Sequence, residues 1–366
     1  MKTTELLVIG GGPAGLCAAL SAAESGASVT VVERNNRLGG QLIKQTHMFF
    51  GSREQYASTR GIDIAKILEA ELIKYSRQIE VLTDTAVLGL YEDGVVNALY
   101  KEEDYFKIKP KAIVAATGAY EKSLAFPNND LPGIYGAGAV QTLMNVYGVK
   151  PGNNVLMVGA GNIGLIVSYQ LMQAGVRVAA ILDAAPKIGG YLVHASKIAR
   201  MGVPILCSHT VKEAIGKDCL EKAVICMVDE RFSPIPGTEK ELEVDVMCIS
   251  VGLTPLCELL AMRGCEMKYV PQLSGSVPVR NERYETTIEN LFVAGDASGI
   301  EEASSAMVEG RLAGLCAAAK MGYKPADFDE RFKGYAAQLK ALRSGPVGEH
   351  ILRGIEQIVS KEDRHV

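Results

Sequence analysis

The residues best suited to chemistry stand in a glycine-rich turn near the start of the chain. In LLVIGGGPAGLCAALSAAESGASVTVVE, an apolar run ends in Gly10-x-Gly12-x-x-Gly15, a small-residue helical pattern follows to Gly26, and a second apolar run ends in Glu33. The pattern predicts strand, tight turn, helix and strand. In that layout Gly10 makes the turn, Gly12 lets the backbone approach a pyrophosphate, and Gly15 lets the helix lie close to the strand. The phosphates then meet the positive end of the helix, whose first N–H groups lack intrahelical partners. Glu33 is spaced to accept from a ribose hydroxyl. Glycine-rich turns can also serve packing alone, but the flanking strands and terminal acid favour the dinucleotide reading.

The motif recurs. NVLMVGAGNIGLIVSYQLMQAGVRVAAILD offers Gly159, Gly161 and Gly164 between two apolar runs, with Asn162 and Ile163 opening the helix and Asp183 closing the second strand. Glu33 leads into RNNRLGGQL and Asp183 into AAPKIGGYL, so Gly39-Gly40 match Gly189-Gly190. One spacing differs: Gly26 to Glu33 is seven residues, Gly175 to Asp183 eight. Without an insertion in the strand, Leu182 would align with Glu33, which leaves the ribose-binding acid of the second fold open.

Other polar residues have less defined context. LIKQTHMFFGSREQYASTR holds Lys44, His47, Arg53 and Tyr56, able to handle a proton or a carboxylate; Lys44 and His47 are the candidates for catalysis, against a plain cofactor, partner or solvent contact. Glu301 and Glu302 read as first-turn carboxylates favoured by a helix dipole, or as groups facing a ligand. The eight cysteines contain no C-x-x-C and no cluster suited to zinc or iron–sulfur ligation, so no metal site is expected and buried reduced thiols are.

These residues need elements to hold them. A helix is predicted over 62–79, then a hairpin from 81–91 and 95–108 around Asp93-Gly94, and a strand over 112–116 ending in Thr117-Gly118. After the second motif, an apolar strand over 244–251 ends at Gly252, and LFVAGDAS makes a further corner at Gly295-Asp296. The expected fold is α/β, with two Rossmann-like dinucleotide-binding domains, the second inserted in the first: 1–125 and 265–366 form one, 126–264 the other. The 366 residues suffice for two domains. Net charge is −4, which gives no reason to expect a nucleic acid or membrane partner. With no targeting pattern and no run long enough to span a bilayer, a cytoplasmic protein is expected.

The ordered motifs GGGPAG, GGQ, ATG, GAGNIG and LFVAGD resemble those of flavoproteins with two dinucleotide-binding domains, the group of thioredoxin and disulfide reductases. LPGIYGAGAVQTL and EGRLAG are similar to FAD subunits of amine and amino-acid dehydrogenases, such as hydrogen cyanide synthase, opine oxidase and proline or hydroxyproline dehydrogenases, related to the alpha chain of sarcosine oxidase. The resemblance implies that Gly10, Gly12, Pro13, Ala14 and Gly15 cradle the FAD pyrophosphate, with Glu33 and Arg34 beside the adenosine ribose. It implies Gly40 and Gln41 near the ribityl chain or flavin, Val87 meeting adenine through its backbone, and Thr117 and Gly118 supporting the cofactor. Gly295 and Asp296 fall on the ribityl or pyrophosphate side, and the helix starting near Ala303 and Ser304 points at the flavin O2.

Two departures shape the functional reading. The redox C-x-x-C of thioredoxin-reductase-like enzymes is missing, which disfavours dithiol chemistry. No cysteine follows Cys316, where larger relatives carry iron–sulfur ligands. The expectation is an electron-transferring FAD subunit of an amine or amino-acid dehydrogenase, taking electrons from a small-molecule donor beside a partner subunit that is a second flavoprotein or an iron–sulfur protein. The alternatives are a self-sufficient NADH-dependent flavin reductase and a nucleotide-binding regulatory subunit. In LDAAPKIGG, Lys187 is the one base past the second strand, which disfavours a 2′-phosphate and makes NAD(H) the candidate second nucleotide.

Overall fold

The computed structural model describes residues 1–49 and 52–360 and divides into two compact units: Met1–Tyr120 with Thr254–Val366, and Glu121–Leu253. The sequence boundary at 264/265 differs from this division. Cys257, Leu260 and Cys265 are buried in one core with Leu7, Ile9 and Val293, so burial of their apolar side chains assigns them to the first unit.

The first unit opens with β1 (Lys2–Ile9), α1 (Pro13–Glu24) and β2 (Val29–Val32). It continues through α2 (Gly61–Lys74), β3 (Ile79–Leu82), β4 (Thr85–Leu90), β5 (Val96–Tyr100) and β6 (Asp104–Ala115). The helix expected to reach residue 79 stops at Lys74. A turn at Tyr75–Gln78 frees Ile79 to pair with Val29 as a strand. The 81–91 run likewise breaks at Asp84, whose φ of 50° turns the chain from parallel β3 into antiparallel β4.

Among the described residues this unit's sheet runs β3-β2-β1-β6-β5-β4. β1 lies parallel to β2 and β6, and β5 antiparallel to β4 and β6. The VTVV of β2 is buried throughout, as a parallel strand covered on both faces requires.

The second unit contains β7 (Ile134–Gly136), α3 (Ala137–Tyr147), β8 (Asn154–Val158), α4 (Asn162–Gln173), β9 (Arg177–Asp183), α5 (Leu192–Arg200) and β10 (Ile205–Cys207). β11 (His209–Ile215), β12 (Lys222–Met227), β13 (Lys240–Glu243) and β14 (Val246–Ile249) complete it. A parallel sheet runs β10-β9-β8-β14-β7, and β11, β12 and β13 form a separate antiparallel sheet.

The chain then returns to the first unit with β15 (Leu291–Val293), parallel to β6, followed by helices α6 (Ala303–Lys320), α7 (Phe328–Leu342) and α8 (Pro346–Ile355). EGRLAG has a packing reason. A Cβ on Gly310 would fall 2.1 Å from the Ala14 carbonyl and one on Gly314 2.1 Å from that of Ala18, so two glycines four apart let α6 lie directly on α1.

Candidate nucleotide-binding site

In the first unit the three motif glycines have different geometric reasons. Gly10 has φ 111°, and its Cβ would fall 2.2 Å from the Ala116 carbonyl oxygen. Gly15 would clash at 1.8 Å with the Gly10 carbonyl oxygen. A Cβ on Gly12 would meet nothing closer than Gly40 Cα at 3.8 Å, so the space above it is open. Gly12 caps α1 without a side-chain hydrogen bond, and Pro13 follows at the first helical position, where no N–H is needed. The helix thus presents its positive end beside an open backbone, a cradle that fits a pyrophosphate.

Glu33 is held beside that turn. Its carboxylate accepts from the Gly11 N–H at 2.7 Å and from the Asn35 N–H at 2.8 Å and Nδ2 at 2.6 Å, and the residue is buried. These bonds orient it and leave a lone pair for a ribose. Arg34 and Gln41 are exposed; Gly40 packs back toward Gly12, and Val87 lies at a register irregularity between β4 and β5. Thr117 donates to the Leu256 carbonyl at 2.6 Å, and a Cβ on Gly118 would meet nothing within 4 Å.

At the opposite end, Gly295 has φ 71° and lies against Ala14, which brings the third corner to the first. Desolvation pushes the Asp296 carboxyl up to about 7; a bond from the Glu301 N–H at 3.4 Å opposes that, and the Glu301 and Glu309 charges add to it. Ala303 and Ser304 open α6, whose N-cap, Glu302, makes no capping bond through its side chain to the helix.

The catalytic candidates follow GGQ in a short helical turn. Lys44 ends the 3₁₀ helix Gly40–Lys44, and the His47 ring stacks on Phe49 at 5.9 Å. Tyr56, with Cys17, Arg311, Arg331 and Tyr335, lines a cleft of about 420 Å³, and burial pushes its phenol up to about 12. Glu301 directly precedes the N-cap of α6, and its carboxylate is bound by Arg343, a partner that neither sequence reading included. Sequence reasoning gave Arg343 no role, since nothing local signals a partner 42 residues away. Burial pushes the thiols of Cys17 to about 11 and of Cys257 and Cys316 to about 12, which keeps them protonated and unreactive.

The second unit repeats the cradle bond by bond. Gly159 has φ 114°, Gly164 would clash at 2.0 Å with the Gly159 carbonyl, and a Cβ on Gly161 would meet nothing within 4 Å. The ambiguity over Asp183 is resolved by a bulge. β9 pairs Val178 with Val155 and Ala180 with Leu156, so Ala179 is the extra residue. The Gly159 N–H donates to Leu182 O at 2.8 Å as the Gly10 N–H does to Val32 O at 2.8 Å, which makes Asp183 the counterpart of Glu33. Asp183 accepts from the Ala160 and Ala185 N–H groups, each at 2.9 Å. Asn162 accepts from the Tyr191 N–H at 2.8 Å, tying the Gly189-Gly190 turn to the start of α4, while Ile163 is exposed. The likeness continues to the third strand, where Ser208 takes a φ of 54° like Asp84, and Val211 lies at a bulge like Val87.

Among the described residues no helix is long and apolar enough to cross a membrane. Comparison with known proteins agrees with the duplicated cradle. The sequence matches the pyridine nucleotide-disulphide oxidoreductase family over residues 4–310. It is 30% identical to an opine oxidase subunit from Agrobacterium tumefaciens, over 87% of this chain and 66% of that protein. It is 27% identical to the alpha subunit of sarcosine oxidase from a Corynebacterium species (88% and 33%) and 25% identical to the HcnB subunit of hydrogen cyanide synthase from Pseudomonas protegens (96% and 79%). The chain therefore spans between a third and four-fifths of these relatives' lengths. Its fold is shared with thioredoxin reductase of T. acidophilum (TM-score 0.71, 20% identity, 87% of this chain and 99% of that one). L-proline dehydrogenase of P. horikoshii shares it too (TM-score 0.67, 22% identity, 91% and 59%). The chain belongs to the pyridine nucleotide-disulphide oxidoreductase family.

Proposed function

We propose that this chain is the electron-transferring FAD subunit of an amine or amino-acid dehydrogenase, with FAD on the 10–15 cradle. The observation that carries the cofactor assignment is Gly12 open beside an oriented, buried Glu33. Bound FAD would supply two-electron chemistry; the chain's own groups bind and orient it. Glu33 takes the ribose, the start of α1 takes the phosphates, and Asp296 with the start of α6 takes the opposite end. The substrate class is supported by the relatives that are opine and sarcosine oxidase subunits, together with the missing C-x-x-C. Those relatives are named as subunits, which supports a partner subunit here; in our reading that partner is a second flavoprotein or an iron–sulfur protein. The eight cysteines, free in the structure, suit a reducing cytoplasm.

One observation favours a second reading, an NADH-linked flavin reductase: the bulge that puts Asp183 in the place of Glu33. The nucleotide there would be NADH, because a carboxylate repels a 2′-phosphate and Lys187 is exposed with no arginine beside it. Anaerobic titration separates the readings. A protein of the proposed type is bleached by an amine or amino acid when its partner is present and only slowly by NADH. Fast bleaching of the isolated protein by NADH would move it to the reductase class. Failure of both, with nucleotide bound, would leave the regulatory role.

A further inference from the structure

Behind the Gly295-Asp296 corner lies a buried ionic cluster that the nucleotide-binding motifs do not require. Arg343, at the end of α7, grips Glu301 through Nε at 3.0 and 3.1 Å and Nη2 at 2.6 Å, and the same Nη2 reaches Glu309 at 2.5 Å. Glu309 also accepts from the Gly295 N–H at 3.0 Å and the Tyr284 hydroxyl at 3.3 Å, with Arg280 3.9 Å away. Arg280 in turn donates to Ser298 at 3.1 Å, and its guanidinium lies 4.0 Å from the centre of the Tyr284 ring. The side chains of Arg280, Glu301, Glu309 and Arg343 are each no more than 8% exposed.

Two carboxylates and two guanidiniums balance, and every charge has a hydrogen-bonded partner, which is the condition for keeping such a group in a core. The cluster is also aimed. Glu309 holds the backbone of Gly295, and the Glu301 N–H reaches Asp296 at 3.4 Å. Its key cation comes from chain beyond the family match, which ends at residue 310. The next helix supports it: a Cβ on Gly348 would fall 2.2 Å from the Arg343 backbone, so α8 closes directly on this residue.

We propose that Arg343 is a positioning residue for the cofactor, fixing the Gly295-Asp296 corner through Glu309 and cancelling the Glu301 charge where α6 begins. The inference rests on the FAD reading above. Without Arg343, one guanidinium would face two buried carboxylates, and the added negative charge would oppose the negative charge that a reduced flavin acquires. Without the Glu301 charge the balance would tip the other way.

The test is the flavin midpoint potential and flavin content of purified variants between pH 6 and 9. Arg343→Met should shift the potential negative. The gap should widen with pH as the unpaired carboxylate of Glu301 ionises, faced by Asp296, Glu309, Tyr284 and Ser305, with Arg280 next to Glu309. Glu301→Gln should shift it positive, the double variant should return it towards wild type, and Arg343→Lys should keep the potential while losing part of the flavin. Shifts of the same sign in Arg343→Met and Glu301→Gln, or none in either, would overturn the proposal. If Arg343→Met does not fold, the positive shift of Glu301→Gln and the unchanged potential of Arg343→Lys decide it. A wild-type protein that takes up no flavin would instead sink the functional reading.

Discussion

Gly12 and Gly15 look alike in the sequence and differ in what a side chain would meet. At Gly12 a valine finds open space, so Gly12→Val should fold with an unchanged melting temperature and lose its FAD, read by flavin absorbance after desalting. At Gly15 a methyl group meets the Gly10 carbonyl at 1.8 Å, and Gly15→Ala should destabilise the fold by about 3 kcal/mol. Retained flavin in the first variant would mean that the open space is not the phosphate site. Asp296 offers a pH test. Its folded-state carboxyl is raised to about 7 against an ordinary value near 4, so the native state binds more protons between those values. Its contribution to stability is complete below pH 4 and lost as pH rises through 7, at about 1.4 kcal/mol per unit at most. Denaturant titrations of flavin-free protein should show that decline, and Asp296→Asn should remove it; an unchanged slope would place Asp296 in a wetter setting.

Strand β9 shows how one residue of length is absorbed without moving a site. Val178 and Ile181 face one core of the second unit, Ala180 and Leu182 the other, the alternation a regular strand would have if Ala179 were absent. Deleting Ala179 should therefore leave the unit folded and Asp183 in place, with cofactor affinity retained. Loss of folding would show that the bulge itself is required. Asp183→Ala, in contrast, should weaken NADH binding by about 1.5–3 kcal/mol, the usual loss for a hydrogen bond to a charged group, and narrow the gap between NADH and NADPH. Equal binding of both by wild-type protein would remove Asp183 from the ribose role. At α6, the start of the helix meets Gly295 while its middle lies on α1 through Gly310 and Gly314, so a helix that reads as small and apolar serves both contact and placement.

The first unit is built from two separated stretches, yet its core closes without the stretch between them. The Gly118 carbonyl accepts from the Leu256 N–H at 2.9 Å and Thr117 donates to the Leu256 carbonyl, so the cut ends lie side by side. Replacing 121–253 by a short flexible linker should yield a protein that folds and keeps FAD, measured by flavin absorbance and a single cooperative thermal transition. A colourless or unfolded product would show that the inserted unit is needed for cofactor retention.

The local pattern alone specified both cradles, since a glycine turn between apolar runs with an acid at the end is a set of neighbours in sequence, and the backbone rules that shape it act over a few residues. The same locality limited the rest. The helix over 62–79 was misread at its end because Ile79 is apolar in either state, and its pairing with Val29 decides for the strand. Asp183 could not be aligned by counting, because a bulge is visible only when β9 is set against β8. Arg343 carries no motif at all; its meaning comes from two carboxylates 34 and 42 residues away that burial forces to share it, and long-range burial is what tertiary structure, not sequence spacing, determines.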